Sequence, residues 1–292
     1  MVTDGRRGPT RRALLAAALA VAGGARPAAA ATPRIAAIDW AMAETAMALG
    51  QPPVAIAELV SFRLSAPQPP APGTVDLGLR GTPNLEALSL TAPDVILSSE
   101  YYSFVEPQLR RIAPVFSRNL YTPGEAPFPG LMDLIPDLAA VLGSGAGEQV
   151  RRDVGVAFAA LAVRVAGVAD RDCLLMEMGD ARHIRVFGDD SLFDGALRAM
   201  GLRNAWSART RFAFAAPVPL ERLADFPQAR FVVIGDVPPQ AERALRTGAL
   251  WNSLPPVRAG RIHRLPEING FGGIPSALRF GRDLADALES AA

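Results

Sequence analysis

The sequence predicts an α/β protein of two lobes, each built on a mainly parallel sheet and joined by a single long backbone helix. Three observations predict this. Short apolar strands alternate with helical segments on both sides of the chain's middle, the pattern of parallel sheets covered on both faces. Between the halves, Val150, Val154, Phe158, Leu161 and Val165 recur at spacings of four, four, three and four, one apolar stripe of a helix with no strand signal. The length, 292 residues, exceeds what one minimal core requires.

The elements follow in order. Residues 1–30 read as an export leader. Arg6, Arg7, Arg11 and Arg12 form a basic start, Ala13 to Gly23 is apolar but shorter than the ~20 residues that span a bilayer, and Ala28-Ala29-Ala30 supplies small residues for cleavage. Thr10-Arg11-Arg12-Ala13-Leu14-Leu15 matches the twin-arginine pattern. The mature chain opens with a strand at Arg34 to Trp40 and a helix through Glu44, Met47 and Leu49 that Gly50 stops. Val54–Glu58 is a second strand. Ala66-Pro67-Gln68-Pro69-Pro70-Ala71-Pro72-Gly73 is an irregular loop. Val75–Gly78 is a short strand, and Thr82-Pro83 is the expected start of a helix carrying Leu85 and Leu88. Pro93–Ser99 is a buried strand, followed by a helix around Leu109 and Ile112 and a strand at Val115-Phe116.

Gly143-Ser144-Gly145-Ala146-Gly147 follows a helix, not a strand, so it reads as a helix–helix turn and not as a phosphate cradle. After the long helix come a strand at Cys173–Met178, a helix at Ser191–Met200 opened by a Ser191/Asp194 capping box, a strand at Phe231–Gly235, a helix at Gln240–Leu245, a strand at Arg261–Leu265 and a last helix at Ser276–Leu288. The expected division is a leader at 1–30, an N-terminal lobe at 31–143, a connecting helix at 144–167 and a C-terminal lobe at 168–292.

Composition excludes several function classes. All basic residues are arginine. Residues 1–30 carry five arginines and one aspartate, so a chain of net charge +1 becomes about −3 once they are removed. A mildly acidic protein lacks the clustered positive charge that nucleic acid requires. Cys173 is the one cysteine, which rules out an internal disulfide, and its apolar run predicts burial. Two histidines in unrelated segments, His183 and His263, exclude a two-histidine zinc helix, and His183 reads as a strand-edge residue. No Gly-x-Ser-x-Gly elbow occurs. Three tyrosines and two histidines are few ligands for bare iron, so iron, if handled, is expected already chelated. No metal ligand set and no cofactor is expected, and the chain reads as non-enzymatic.

Four stretches then carry a family resemblance over essentially the whole mature chain. They are Arg34-Ile35 through Asp39-Trp40 to Glu44 and Ala48-Leu49-Gly50; Val75-Asp76-Leu77-Gly78-Leu79-Arg80 with Pro83-Asn84-Leu85-Glu86; Arg182 to Gly188 into Ser191-Leu192-Phe193, with Asn204-Ala205-Trp206; and Leu250-Trp251 to Pro256-Val257-Arg258-Ala259-Gly260-Arg261. In their order and spacing the chain resembles the periplasmic ferric-hydroxamate siderophore-binding proteins of ABC importers, the helical-backbone class III binding proteins. The resemblance implies a monomer that takes a ferric siderophore between its lobes and hands it to a permease and its ATPase.

It also implies a site. Arg80 matches the arginine that hydrogen-bonds hydroxamate oxygens, for which a guanidinium's fixed donors are suited. Tyr101 matches a ligand-contacting tyrosine, and Tyr102 competes with it. Trp40, at a strand end, is a further cleft candidate with core packing as the alternative, and Leu192 lies in the third stretch. Departures from the family pattern put Arg211, Ala213 and Phe214 where an asparagine and a tryptophan stand, Asn269-Gly270-Phe271 in place of a more aromatic set, and Ser65 in place of an indole. They predict a less aromatic, more cationic pocket, with room for a carboxylate or mixed siderophore. Glu106 and Glu221, one on each lobe, are the expected permease-docking acids. Haem or a cobalamin as ligand, an exported α/β enzyme and a sensory protein on the same fold are the competing readings.

Overall fold

The computed structural model describes residues 32–207 and 216–290. The first half contains β1 (Ile35–Ala37), α1 (Trp40–Ala48), β2 (Ala55–Ile56), α2 (Leu59–Ser65), β3 (Val75–Asp76), α3 (Leu85–Leu90), β4 (Val95–Ser99), α4 (Glu106–Leu109) and β5 (Val115–Arg118). Two helices follow, α5 (Pro127–Val141) and α6 (Gly147–Val165). The second half contains β6 (Cys173–Met178), β7 (His183–Val186), α7 (Leu192–Ala199), β8 (Ala216–Pro219), β9 (Arg230–Ile234), α8 (Pro239–Thr247), α9 (Ala249–Ser253), α10 (Pro255–Arg258), β10 (Ile262–Leu265) and α11 (Ile274–Glu289). The long α6 matches the apolar stripe: Val154, Phe158, Leu161 and Val165 are its buried side chains, with Gly147 at its start. The start of α3 differs from expectation. Asn84, not Thr82, is the cap, its Oδ1 accepting from the Ala87 amide at 2.9 Å.

The first sheet has the order β3-β2-β1-β4-β5 with every neighbour parallel. The second has the order β10-β9-β6-β7-β8; β10, β9 and β6 are parallel, while β7 runs antiparallel to both β6 and β8. Pro217 and Pro219 are tolerated in β8 because it is the sheet's edge. The strands alternate strictly between two cores, as a period of two requires. Ile35 and Ala37 of β1, Val95 and Leu97 of β4, Cys173 and Leu175 of β6, and Val232 and Ile234 of β9 face one central cluster. Ala36, Ile96, Leu174, Met176, Phe231 and Val233 face outer clusters. The central cluster runs through both halves, joining Trp40 and Phe62 to Phe158, Phe193 and Phe280. Cys173 is buried there, and burial pushes its thiol up to about 12, so it packs as an apolar residue.

A polar contact crosses the same seam. Glu44 on α1 is almost fully buried, and its carboxylate accepts four hydrogen bonds from the segment that opens α11. The donors are Asn269 Nδ2 (2.9 Å), Ser276 Oγ (2.8 Å), the Gly273 amide (2.8 Å) and the Ser276 amide (3.3 Å). Gly273 is the N-cap of α11 and has no side chain to cap it, so a carboxylate from the other half satisfies the open amides and meets the positive helix end. A Cβ on Gly272 would lie 2.7 Å from Glu44 Oε1, and one on Gly273 2.9 Å from the Ala41 carbonyl, which is why two glycines stand there. Tyr121 adds a bond from its hydroxyl to the Gly272 carbonyl at 2.5 Å, and the Gly124 amide donates to Asp190 Oδ2 at 3.3 Å.

Burial pushes Glu44 up to about 7 in spite of its four donors. A carboxyl raised in the folded state contributes stability that is full below its unfolded value, near 4.5, and is lost as pH rises through about 7. Wild-type protein is therefore expected to lose melting temperature relative to Glu44→Gln between about pH 4.5 and about pH 8; parallel curves for the two proteins would refute this. Glu44→Ala leaves buried donors without acceptors and is expected to cost at least about 3 kcal/mol in denaturant unfolding. A second prediction concerns Gly195, where a Cβ would lie 2.4 Å from Phe128 Cβ across the α5–α7 contact. Gly195→Ala is expected to lower the melting temperature, because overpacking of about 1–3 kcal/mol exceeds the helix-propensity gain of at most about 1 kcal/mol.

Candidate functional site

The first sheet places its loops where ligands collect. From β1 the chain steps outward through β2 and β3, then returns to the other side of β1 for β4 and β5. The strand order reverses between β1 and β4, and a crevice forms beyond their carboxyl ends. A cleft of about 360 Å³ lies there, lined by residues that follow β1, β3, β4 and β5 and by Phe271 from the loop before α11. Its lining brings Arg80, Tyr101, Tyr102 and Phe271 together with Asp39, Glu100 and Tyr121.

Arg80 is held from two sides. Its Nε donates to Glu58 Oε2 at 2.8 Å, and its backbone amide donates to Glu58 Oε1 at 3.3 Å. Its guanidinium carbon lies 4.2 Å from the centre of the Trp40 ring, a cation–π contact. Glu58 adopts a left-handed backbone (φ 52, ψ 44) just past β2 and directs its carboxylate to Arg80. Trp40 is itself pinned, its Nε1 donating to the Ala57 carbonyl at 2.8 Å and its ring meeting Phe62 edge-on at 5.6 Å. Trp40 is 7% exposed, so it is the platform beneath Arg80 and not part of the cleft surface. With Nε committed, the two terminal nitrogens of Arg80 donate to no described residue and remain to meet a ligand.

The aromatic wall has two parts. Tyr101 and Tyr102 meet edge-on at 5.3 Å; Tyr101 is 73% exposed at the rim and Tyr102 is buried behind it. Tyr121 and Phe271 meet edge-on at 5.5 Å across the seam between the halves. Burial pushes the Tyr102 hydroxyl up, opposed by Arg80, and burial together with the charges of Glu44 and Asp39 pushes Tyr121 well up too. Both stay protonated. Asp39 caps α1 by accepting from the Met42 amide at 3.1 Å, and burial raises it against that bond, the Ser99 hydroxyl and Arg80.

Several expectations are corrected here. Leu192 is wholly buried in the first turn of α7, turned into the central core by the Ser191 cap, and does not line the cleft. Asn269 is buried too. Its amide nitrogen is taken by Glu44 and its Oδ1 accepts from the Phe271 amide at 3.1 Å, so it shapes the loop without lining the cleft. Arg211 and Phe214 lie outside the described residues. The described lining carries three tyrosines, one phenylalanine, one arginine and two carboxylates; the residues on which a more cationic pocket was expected, Arg211 and Ala213, are not among those described. His183 is exposed at the start of β7 with its Nδ1 3.1 Å from Asp180. Glu106 opens α4 and is paired with Arg110 at 2.8 Å, whereas Glu221 is exposed in the turn after β8. Among the described residues, no group of three or more His, Cys, Asp or Glu side chains could hold a metal ion. Sequence reasoning missed Asp39, Glu58, Glu100 and Tyr121. All follow strand ends, and applying the strand-end rule to every strand of the first sheet would have found them.

Comparison with known proteins bears on the family and the fold. The periplasmic binding protein family model matches residues 35–268. The iron(3+)-hydroxamate-binding protein FhuD of Escherichia coli K12 is 32% identical over 257 residues, 87% of this chain and 86% of that protein. Among solved structures, the siderophore-binding protein FhuD of Vibrio cholerae with bound Fe3+–Desferal superposes with a TM-score of 0.80 at 23% identity, over 90% of this chain and all of that one. The iron-uptake ABC transporter substrate-binding protein PiuA of Streptococcus pneumoniae superposes with a TM-score of 0.68 at 20% identity, over 89% and 93%. With the match spanning both sheets and the helix between them, the chain belongs to the periplasmic binding protein family.

Proposed function

We propose that this protein captures a ferric siderophore of the hydroxamate type in its cleft and delivers it to an ABC importer. One observation carries the reading: Arg80 stands on Trp40, is neutralised by Glu58, and offers its terminal nitrogens to a cleft walled by Tyr101, Tyr102, Tyr121 and Phe271. Three hydroxamates cancel the charge of ferric iron, so the chelate is neutral at its centre while its oxygens remain strong acceptors. A guanidinium already balanced by a carboxylate suits such a centre, donating hydrogen bonds without an excess of positive charge. Aromatic walls suit the chelate's hydrocarbon arms. Iron is cargo inside its organic shell, and no resident cofactor is part of the reading.

The protein acts as a binding module and not as a catalyst. The family works outside the cytoplasm, and we assign export to the leader with Arg11-Arg12. It acts as a monomer. Glu106 on the first half and Glu221 on the second are assigned to docking on basic groups of the permease, with the ATPase driving transport.

The test is a titration of the mature protein with ferric Desferal while tryptophan fluorescence is followed. Trp40 lies directly under Arg80, whereas Trp206 and Trp251 sit in the outer core of the second sheet. Saturable quenching is expected for wild type, and Trp40→Phe is expected to remove most of the signal. Arg80→Ala is expected to weaken binding about tenfold or more, the value of one or two charge-assisted hydrogen bonds. Chemical conversion of the chelate would favour an enzyme instead, and no response to any ferric hydroxamate would overturn the proposal.

A further inference from the structure

Charge in the described cleft is unevenly balanced. Arg80, its one described cation, is matched by Glu58 at 2.8 Å, with Asp39 close enough to feel it as well. Glu100 has no such match. It opens the turn Glu100–Tyr102 immediately after β4, at the crevice where the strand order reverses, and it is exposed on the cleft lining. Its side chain makes no hydrogen bond or ion pair with a described residue. Among the described residues, a carboxylate at the mouth therefore stands beside a cation that is already paired. Tyr101, next along the turn, is the most exposed aromatic of the described lining and gives a chelate's hydrocarbon arm a surface to lie along towards that carboxylate.

We propose that Glu100 is a specificity-determining residue that reads the periphery of the chelate, favouring ferric hydroxamates with a cationic arm over neutral and anionic ones. The inference rests on the function proposed above and deepens it. The iron centre of such a ligand is neutral and faces Arg80 and the tyrosines. Discrimination then falls to the charge carried at the end of an arm, where it meets Glu100. An ammonium near a partly solvated carboxylate gains several-fold in affinity, and a carboxylate in the same place loses a similar factor. Because Glu100 is exposed, salt screens the effect within about 8–10 Å.

Three ligands with one iron-binding core test it: ferric Desferal, whose arm ends in an ammonium; its N-acetyl derivative, which is neutral; and its N-succinyl derivative, which ends in a carboxylate. Affinities are measured by fluorescence titration for wild type and Glu100→Gln at low and high salt. For wild type the expected order is ammonium, acetyl, succinyl, with roughly three- to tenfold between neighbours at low salt and less at high salt. In Glu100→Gln the ammonium-to-acetyl ratio is expected to fall to near one. Equal wild-type affinities for the three ligands, or a ratio that Glu100→Gln does not change, would overturn the inference and leave the hydroxamate reading standing. Failure of wild type to bind any of the three would overturn that reading, and the inference with it.

Discussion

The two halves of this protein are locked by a carboxylate that crosses between them. Burying a charge is costly unless hydrogen bonds replace its water. Four donors offset part of that cost at Glu44, all from the segment Asn269 to Ser276 and all from the opposite half, while burial still raises its carboxyl to about 7. Glu44 also closes the open end of α11, which no side chain of the N-cap Gly273 could do. The consequence reaches the cleft. The same segment carries Phe271, whose ring packs on Tyr121, and Tyr121 in turn bonds the Gly272 carbonyl. One wall of the cleft is thus set by a residue that does not touch it.

The continuous central core enforces the same rigidity. Helices α5, α6, α7 and α11 pack between the sheets, and their apolar side chains join Trp40 and Phe62 on one side to Phe193 and Phe280 on the other. Opening the molecule widely would expose this surface, at about 25 cal/mol per Å² of apolar area. A helix as connector, a buried carboxylate across the seam and a shared core all favour a cleft formed before its ligand arrives. Preorganisation of this kind reduces the ordering that binding must otherwise impose.

Within that frame the recognition chemistry is compact. Trp40 supports Arg80 from below, Glu58 holds it from the side, and the topology of the first sheet aims what remains of the guanidinium into the crevice. The left-handed backbone at Glu58 lets one carboxylate reach both the side chain and the backbone amide of Arg80. Cation, counter-ion and aromatic platform form one unit, drawn from the segments that follow β3, β2 and β1. Their combined effect is a strong hydrogen-bond donor of low net charge.

Local pattern determined much of this. The period-two strands, the apolar stripe of α6 and the capping Ser191 were readable because each depends on neighbours within a turn or a strand, where geometry is set by the backbone itself. Arg80 and Tyr101 are legible through the family resemblance, Tyr102 as a competitor of Tyr101 and Phe271 as a departure from the family pattern, and the fold brings the four to one hollow. What the linear pattern could not decide were contacts between residues far apart in the chain. Trp40 and Leu192 follow a strand end and a loop, as cleft residues do, yet an indole bond to Ala57 and a capped helix start turn both inward. Glu44 reads as an ordinary helix acid until the fold brings it against a helix end more than two hundred residues away. The pairing of Glu58 with Arg80, and the placing of Arg80 and Glu100 on one cleft, likewise exist only in the fold, because electrostatic pairing depends on distance in space and not on separation in sequence.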